Sequence, residues 1–481
     1  MDAGDGGDHH RDRPAGHAVR HLPASHRRLD RRLGTQVTRP RFSTLVAGAV
    51  ALVAALLAAA AVLLDYSGQP HGDKTIVTVR VWGDELAEAY RQSFAAFTRA
   101  HPDIEVHVNM VAYSTYFNTL RTDVAGGSAD DIFWLSNAYL AAYADSGRLL
   151  NILDTLGTNA AADWERPVVE QFTRHGQLWG VPQLTDAGIA LYYNADLLGA
   201  AGIDPAQLNG LRWDPAGGDT LRPLLARLTV DADGNRGDTR GFDPGRVRQW
   251  GYNAANDPQG IYLNYIGSAG GVFQRGDEFA FDNPAAVSAF RYLVDLINRD
   301  HVAPSAADTN DNGDFSRNQF LAGRMALFQS GTYNLAPVAR DARFRWGVAM
   351  MPAGPVGRVS VTNGIAAAGN AATKHPAAVR QVLAWMGSRQ GNEYLGRYGA
   401  AIPAVTSAQP VYFRYWASRG VDVTPFFAVL NGPRIAAPGG AGFAAGNDAL
   451  RPYFDEMFSG RGDVATTLRR AQAAANAAAR R

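Results

Sequence analysis

Two kinds of side chain recur where the short apolar runs of this chain end. One is the flat aromatic (Trp82, Trp134, Tyr333), and the other is the planar carboxylate or amide (Asn137, Asp186, Asn256, Asp257, Asn363), with Ser136 beside Asn137. Such a set suits a ligand with an apolar C–H face and a rim of hydroxyls, the rings covering the face while carboxylates and amides meet the rim. In "DDIFWLSNAY", Trp134, Ser136 and Asn137 directly follow a short apolar run; bulky core filling is the alternative for Trp134. Asp186 stands alone between apolar runs, where an unpaired carboxylate is costly unless it has a task. Asp257 precedes Pro258 and Asn363 precedes Gly364, so each is also readable as a turn residue. Arg434, in "LNGPRI", is the basic group that could neutralise one carboxylate or receive an acidic ligand. The carboxylates disfavour a phosphorylated ligand. They favour an ammonium by about 4 kcal/mol at roughly 4 Å for an effective dielectric near 20, before desolvation.

Other chemistries are excluded or weak. With no cysteine there is no disulfide, zinc-thiolate site, thiol nucleophile or lipid-bearing cysteine. No His-Glu-x-x-His, phosphate-cradling loop or Gly-x-Ser-x-Gly occurs. "DTNDNGD" opens like a calcium loop with Asp308, Asn310, Asn312 and Gly313 in register, but Gln319 stands where a bidentate Glu is required, so a polar loop before a helix is expected. The tripeptide Arg461-Gly462-Asp463 is read as a chance occurrence. No metal, no cofactor and no catalytic residue is expected. The rival enzymatic reading is a glycosidase using Asp186 and Asp257, whose carboxyl groups would have to lie about 5 to 10 Å apart; a sugar sensor is a further alternative. Residues 1–36 hold seven Arg and five Asp, leaving 39 basic and 40 acidic groups in the rest, so no basic stripe for nucleic acid exists there.

Elements must hold these groups in place, and 481 residues are enough for two or more lobes. "TIVTVRVW" alternates as a strand. In "ELAEAYRQSFAAFTRAHPDIEV", Leu86, Tyr90, Phe94 and Phe97 recur at helical spacing until His101-Pro102, and "IEVHVNMV" reads as the next strand. A helix from "YSTYFNTLRTDVAGG" then leads into "DDIFWL". Alternating strands and helices predict a largely parallel sheet, with ligands bound outside the strands' carboxyl ends. Upstream, Thr44–Leu64 is free of charge over 21 residues, enough to span roughly 30 Å of hydrocarbon, with Arg39 and Arg41 before it and Asp65 after. The positive flank places everything beyond Asp65 outside the cytoplasm, either anchored or, if the segment is cleaved as a signal, secreted. Residues 1–43 read as a disordered or mis-started polar segment and 65–74 as a linker.

In order along the chain, "VTVRVW", "FAAFTRAHPDIEV", "SADDIFWLSNAYLAAYADSGRLL", "LWGVPQ" with "YYNADLL", "FLAGRMALFQSGTY", "WGVAMMPAGP" and "GIAAAGNAATKHPAAVRQVLAWM" resemble the extracytoplasmic solute-binding proteins of carbohydrate ABC importers, the branch with maltose- and glycerol-phosphate-binding proteins. The likeness covers about Thr75 to Val405. It is nearest to a mycobacterial amino-sugar-binding branch through "AYSTYFNTLRTDVAGGSADDIFWLSNAY" and "NDNGDFSRNQFLAG". It implies an α/β fold of two lobes closing on a sugar, with the chain crossing near Asp186, Trp346 and Ala401. Residues 75–185 and 347–400 would form lobe 1, and 186–346 and 401–481 lobe 2. It implies ligand roles for Trp134, Asn137, Asp186, Asp257 and Tyr333. Asn137 stands where maltose binders carry an acid, and Ala138 where a basic residue follows, so the hydroxyl pattern read should differ from a maltodextrin's. The implied partners are a carbohydrate, ABC permease subunits and through them an ATPase, and the membrane through residues 44–64; a monomer is expected.

Overall fold

The computed structural model describes residues 74–310 and 312–481. The expected membrane segment Thr44–Leu64, its flanks and Asp311 lie outside the described residues. Among the described residues no helix is long and apolar enough to cross a membrane.

Strand β1 (Thr75–Val81) alternates as its β-branched residues require, sending Val77, Val79 and Val81 into full burial. Helix α1 (Asp84–Ala100) packs Tyr90, Phe94 and Phe97 inward at helical spacing and closes where the His101 N–H donates to the Phe97 carbonyl at 2.9 Å. Strand β2 (Ile104–Met110) pairs parallel with β1. Helix α2 (Tyr113–Gly126) ends on Gly127, whose φ of 73° needs a residue without Cβ. Strand β3 (Ile132–Ser136) joins β1 from the other side, also parallel, and runs straight into helix α3 (Asn137–Ala144).

The parallel pattern ends there. The first sheet is completed by β4 (Val181–Thr185) and β8 (Gly364–Gly369) in the order β2-β1-β3-β8-β4, and β8 is antiparallel to both neighbours because it arrives from the other lobe. The second lobe carries a wholly antiparallel sheet of β6 (Leu327–Ser330), β5 (Ala190–Asn194) and β7 (Trp346–Met350), in the order β6-β5-β7. Around it pack α4 (Pro284–Asn298), α5 (Leu335–Asp341) and the long hairpin of α7 (Phe443–Phe458) and α8 (Val464–Ala479). Helix α6 (Pro376–Met386) covers the first sheet.

Three crossing segments lie side by side between the lobes. The Thr185 N–H donates to the Ile402 carbonyl at 3.1 Å, the Asp186 N–H to the Asn363 carbonyl at 2.8 Å, and the Gly188 N–H to the Phe426 carbonyl at 2.8 Å. The segment lying beside Asp186 is that at Asn363 and not the chain near Trp346. The reason is register: Trp346–Met350 pairs residue by residue with Asn194–Ala190, so the chain stays in the second lobe through β7 and the following turn. Residues 347–363 therefore belong to lobe 2, and Ala401, Val405 and Ala408 pack in the core of lobe 1.

Candidate ligand cleft

Asp186 sits on the first crossing segment, partly buried at the floor between the lobes. Desolvation pushes its carboxyl up to about 7, and no basic side chain offsets this. Asp257 ends the loop before a tight helical turn, Pro258–Tyr262. Its Oδ1 accepts the Gly260 N–H at 3.0 Å, and burial raises its carboxyl despite the N–H groups of Gly260 and Gln259. The carboxylate thus caps a turn, and its charge also acts on Tyr113 and Tyr333.

Tyr333 is 41 % exposed and stands two residues after Gly331, where a Cβ would run into the Tyr333 ring; glycine is what lets the ring lie back over the backbone. Burial first, then the charge of Asp257, raises its phenol, and Asp186 adds to this. The sequence pattern missed a fourth member, Tyr113, at the first position of α2. The residue is 65 % exposed, and its phenol is pushed up to about 12, mainly by desolvation and then by Tyr139, Asp257 and Asp186. Tyr113 comes from lobe 1, Asp257 and Tyr333 from lobe 2, and Asp186 from the crossing, and the two carboxylates act on both phenols. Fully buried Tyr412 lies within reach of the Asp186 charge, and its hydroxyl has no hydrogen-bond partner.

The other expected site residues fall elsewhere. Trp134 is wholly buried in the core of lobe 1. Its Nε1 donates to the Tyr90 hydroxyl at 3.1 Å, and its carbonyl accepts the Tyr116 hydroxyl at 2.9 Å, so core filling is the correct reading. Ser136 is the N-cap of α3, its Oγ accepting the Ala138 N–H at 3.2 Å. Asn256 is turned toward α7, where its Nδ2 donates to Asp455 at 2.9 Å. The Asn363 Oδ1 accepts the Gly364 N–H at 3.0 Å while its carbonyl holds Asp186, so it is a crossing turn. Arg434 is exposed and donates to the Leu430 carbonyl at 3.3 Å; its charge is not among those acting on Asp186 or Asp257.

Trp82 and Asn137 lie nearer the cleft. Trp82 is partly buried and meets Tyr113 edge-on at 5.7 Å and Trp134 at 4.8 Å, so it buttresses the Tyr113 ring. Asn137 abuts Gly439 of lobe 2, where a Cβ would stand 3.1 Å from the Asn137 carbonyl, and its buried Oδ1 has no partner. Among the described residues no group of three or more His, Cys, Asp or Glu could hold a metal. In the acidic loop, Asp308 accepts the Ser305 hydroxyl at 2.7 Å and Asn310 donates to the Asp455 carbonyl at 3.3 Å. Phenols, a flat ring and two carboxylates without a neutralising cation can grip a polyhydroxylated ring, and a cationic one best.

The family model described as bacterial extracellular solute-binding protein matches residues 83–393. The crystal structure of UspC from M. tuberculosis is 79 % identical, covers 84 % of this chain and 100 % of its own, and superposes with a TM-score of 0.68. The GacH receptor of Streptomyces glaucescens, solved unliganded and with acarbose, is 21 % identical over 85 % of this chain and 99 % of its own, with a TM-score of 0.69. A binding protein of Brucella abortus is 22 % identical over 434 residues, 88 % of this chain and 97 % of the relative.

Proposed function

Because this chain belongs to the bacterial extracellular solute-binding proteins, we propose that it is the sugar-capturing receptor of an ABC importer and that its preferred ligand is an amino sugar. What supports this is that the charges of Asp186 and Asp257 reach the phenols of Tyr113 and Tyr333, one from each lobe, with no basic side chain offsetting either carboxyl. Acarbose, named with the GacH receptor, is a carbohydrate ligand on the same fold. The ligand is held without chemistry. Closing the lobes completes the contacts, and the closed shape is what permease subunits, and through them an ATPase, would read.

We assign Asn137 to the same pocket on the strength of its buried, unpartnered Oδ1, which a ligand hydroxyl or ammonium would satisfy. The protein acts as a monomer outside the cytoplasm, retained by Thr44–Leu64 or released if that segment is cleaved.

The test is titration calorimetry with glucosamine, glucose and glucose 6-phosphate, followed by analysis of the recovered sugar. Glucosamine should bind most tightly and be recovered unchanged. Equal affinity for glucosamine and glucose, or tighter binding of the phosphate, would overturn the amino-sugar preference. A cleaved or modified product from an oligosaccharide would replace the receptor with the glycosidase.

A further inference from the structure

The two lobes touch at both rims of the cleft. At one rim Glu85, in the first turn of α1, meets Arg340, in the last turn of α5. At the other, Arg121 of α2 faces Asp448 of α7 at 4.0 Å, and Tyr139 of α3 meets Phe443 edge-on with ring centroids 6.5 Å apart. The two lobes thus meet at residues on either side of the cleft.

The Glu85 rim has a feature that an ordinary surface ion pair lacks. Arg340 is already gripped within its own lobe, its Nε donating to Asp341 Oδ1 at 2.9 Å and its Nη2 to Asp341 Oδ2 at 2.7 Å. This two-point grip leaves Nη1 pointing outward, and it is Nη1 that takes Glu85. Isolated surface pairs are weak partly because two long side chains must be ordered at once. Here one is ordered before the lobes meet, so only Glu85 loses freedom on closing. The helices add to this, because an acid in a first turn and a base in a last turn each complement the local dipole.

We propose that Arg340, pre-oriented by Asp341, is a latch that captures Glu85 as the lobes close, so that part of the closing free energy is independent of ligand. Glu85, Arg340 and Asp341 are positioning residues, since they touch neither Asp186 nor the tyrosines of the pocket. The inference rests on the two-lobed receptor reading only in that it concerns lobe closure.

The chain has no cysteine, so two introduced on exposed surfaces, Arg99→Cys on lobe 1 and Arg461→Cys on lobe 2, give a unique pair of spin labels. Interlobe distances would be read in the ligand-free protein at about 20 mM and 1 M NaCl, spanning Debye lengths of roughly 20 to 3 Å. Glu85→Gln should broaden the distribution toward longer distances at low salt, and 1 M salt should do the same to the unaltered protein. In an Arg340→Gln background, Glu85→Gln should have no further effect. Asp341→Asn should shrink the coupling between Glu85 and Arg340, an outcome that a merely structural role for Asp341 would not produce. Affinity for glucosamine should fall about two- to fivefold in Glu85→Gln, the range of an exposed pair. Identical distributions for Glu85→Gln and the unaltered protein at low salt would overturn the latch. Failure of every sugar to bind would overturn the receptor reading and leave the distance measurement to decide the latch by itself.

Discussion

The indole Nε1 of Trp134 donates to the hydroxyl of Tyr90 at 3.1 Å, and that hydroxyl donates onward to Gln183 Oε1 at 2.7 Å, tying β3, α1 and β4 together inside lobe 1. Trp134→Ala should therefore destabilise the ligand-free protein by about 3 to 5 kcal/mol, as large-to-small core substitutions do, with an added penalty for the abandoned hydrogen bond. Equilibrium urea unfolding measures it. A loss below about 1 kcal/mol, with weakened sugar binding, would return Trp134 to the ligand.

Tyr113 and Tyr333 should behave in the opposite way. Both rings are substantially exposed, so Tyr113→Ala and Tyr333→Ala should shift stability by about 0.5 kcal/mol or less. Each should weaken sugar binding at least tenfold, on the order of one stacking contact or more. The pair Tyr113→Phe and Tyr333→Phe separates ring from hydroxyl. Calorimetry and thermal melts on the same samples decide.

The raised carboxyls set a pH dependence with a definite sign. Asp186 holds its proton up to about pH 7 when folded but only to about 3.9 when unfolded, so between these values the folded state binds more protons. Stability of the ligand-free protein from this group is then full below about pH 4 and is lost as pH rises toward 7; Asp257, also raised by burial, acts in the same direction. Asp186→Asn should flatten the decline, and denaturant titrations across this window would show it.

Binding should run against that trend. An ammonium ligand requires ionised Asp186, so affinity for glucosamine should tighten from about pH 5.5 to 7 with release of a proton. The measured enthalpy should then vary with the ionisation enthalpy of the buffer. Glucose should show neither effect, and Asp186→Asn should abolish both. Buffer-independent enthalpy for glucosamine would count against the charge pairing.

The parts of this fold that are local were legible in the sequence. Alternation in "TIVTVRV" and the spacing of Tyr90, Phe94 and Phe97 give β1 and α1 directly, and the isolated Asp186 falls on a segment that runs beside Asn363. Trp134 misled because an end-of-strand aromatic was taken to face the ligand. All five residues of β3 are buried, and the strand that covers them, β8, arrives too far along the chain for any local pattern to announce. Tyr113 was hidden for a related reason, since it reads as one aromatic among three in "YSTYF". The available signal was its position just after the carboxyl end of β2, the place where α/β folds present ligand groups. Which amides stayed in the cleft depended on partners such as Asp455, which lies on the order of two hundred residues from Asn256 and is joined to it only by the finished fold.

The interior position of β8 also bears on the order in which the molecule can be made. Ser136 pairs with Ile365, on the order of 230 residues later, so the first sheet has a gap between β3 and β4 until the ribosome has passed Gly369. At a synthesis rate of roughly 5 to 20 residues per second, that gap stays open for about ten seconds or more. During this time β3 and β4 lack their shared neighbour.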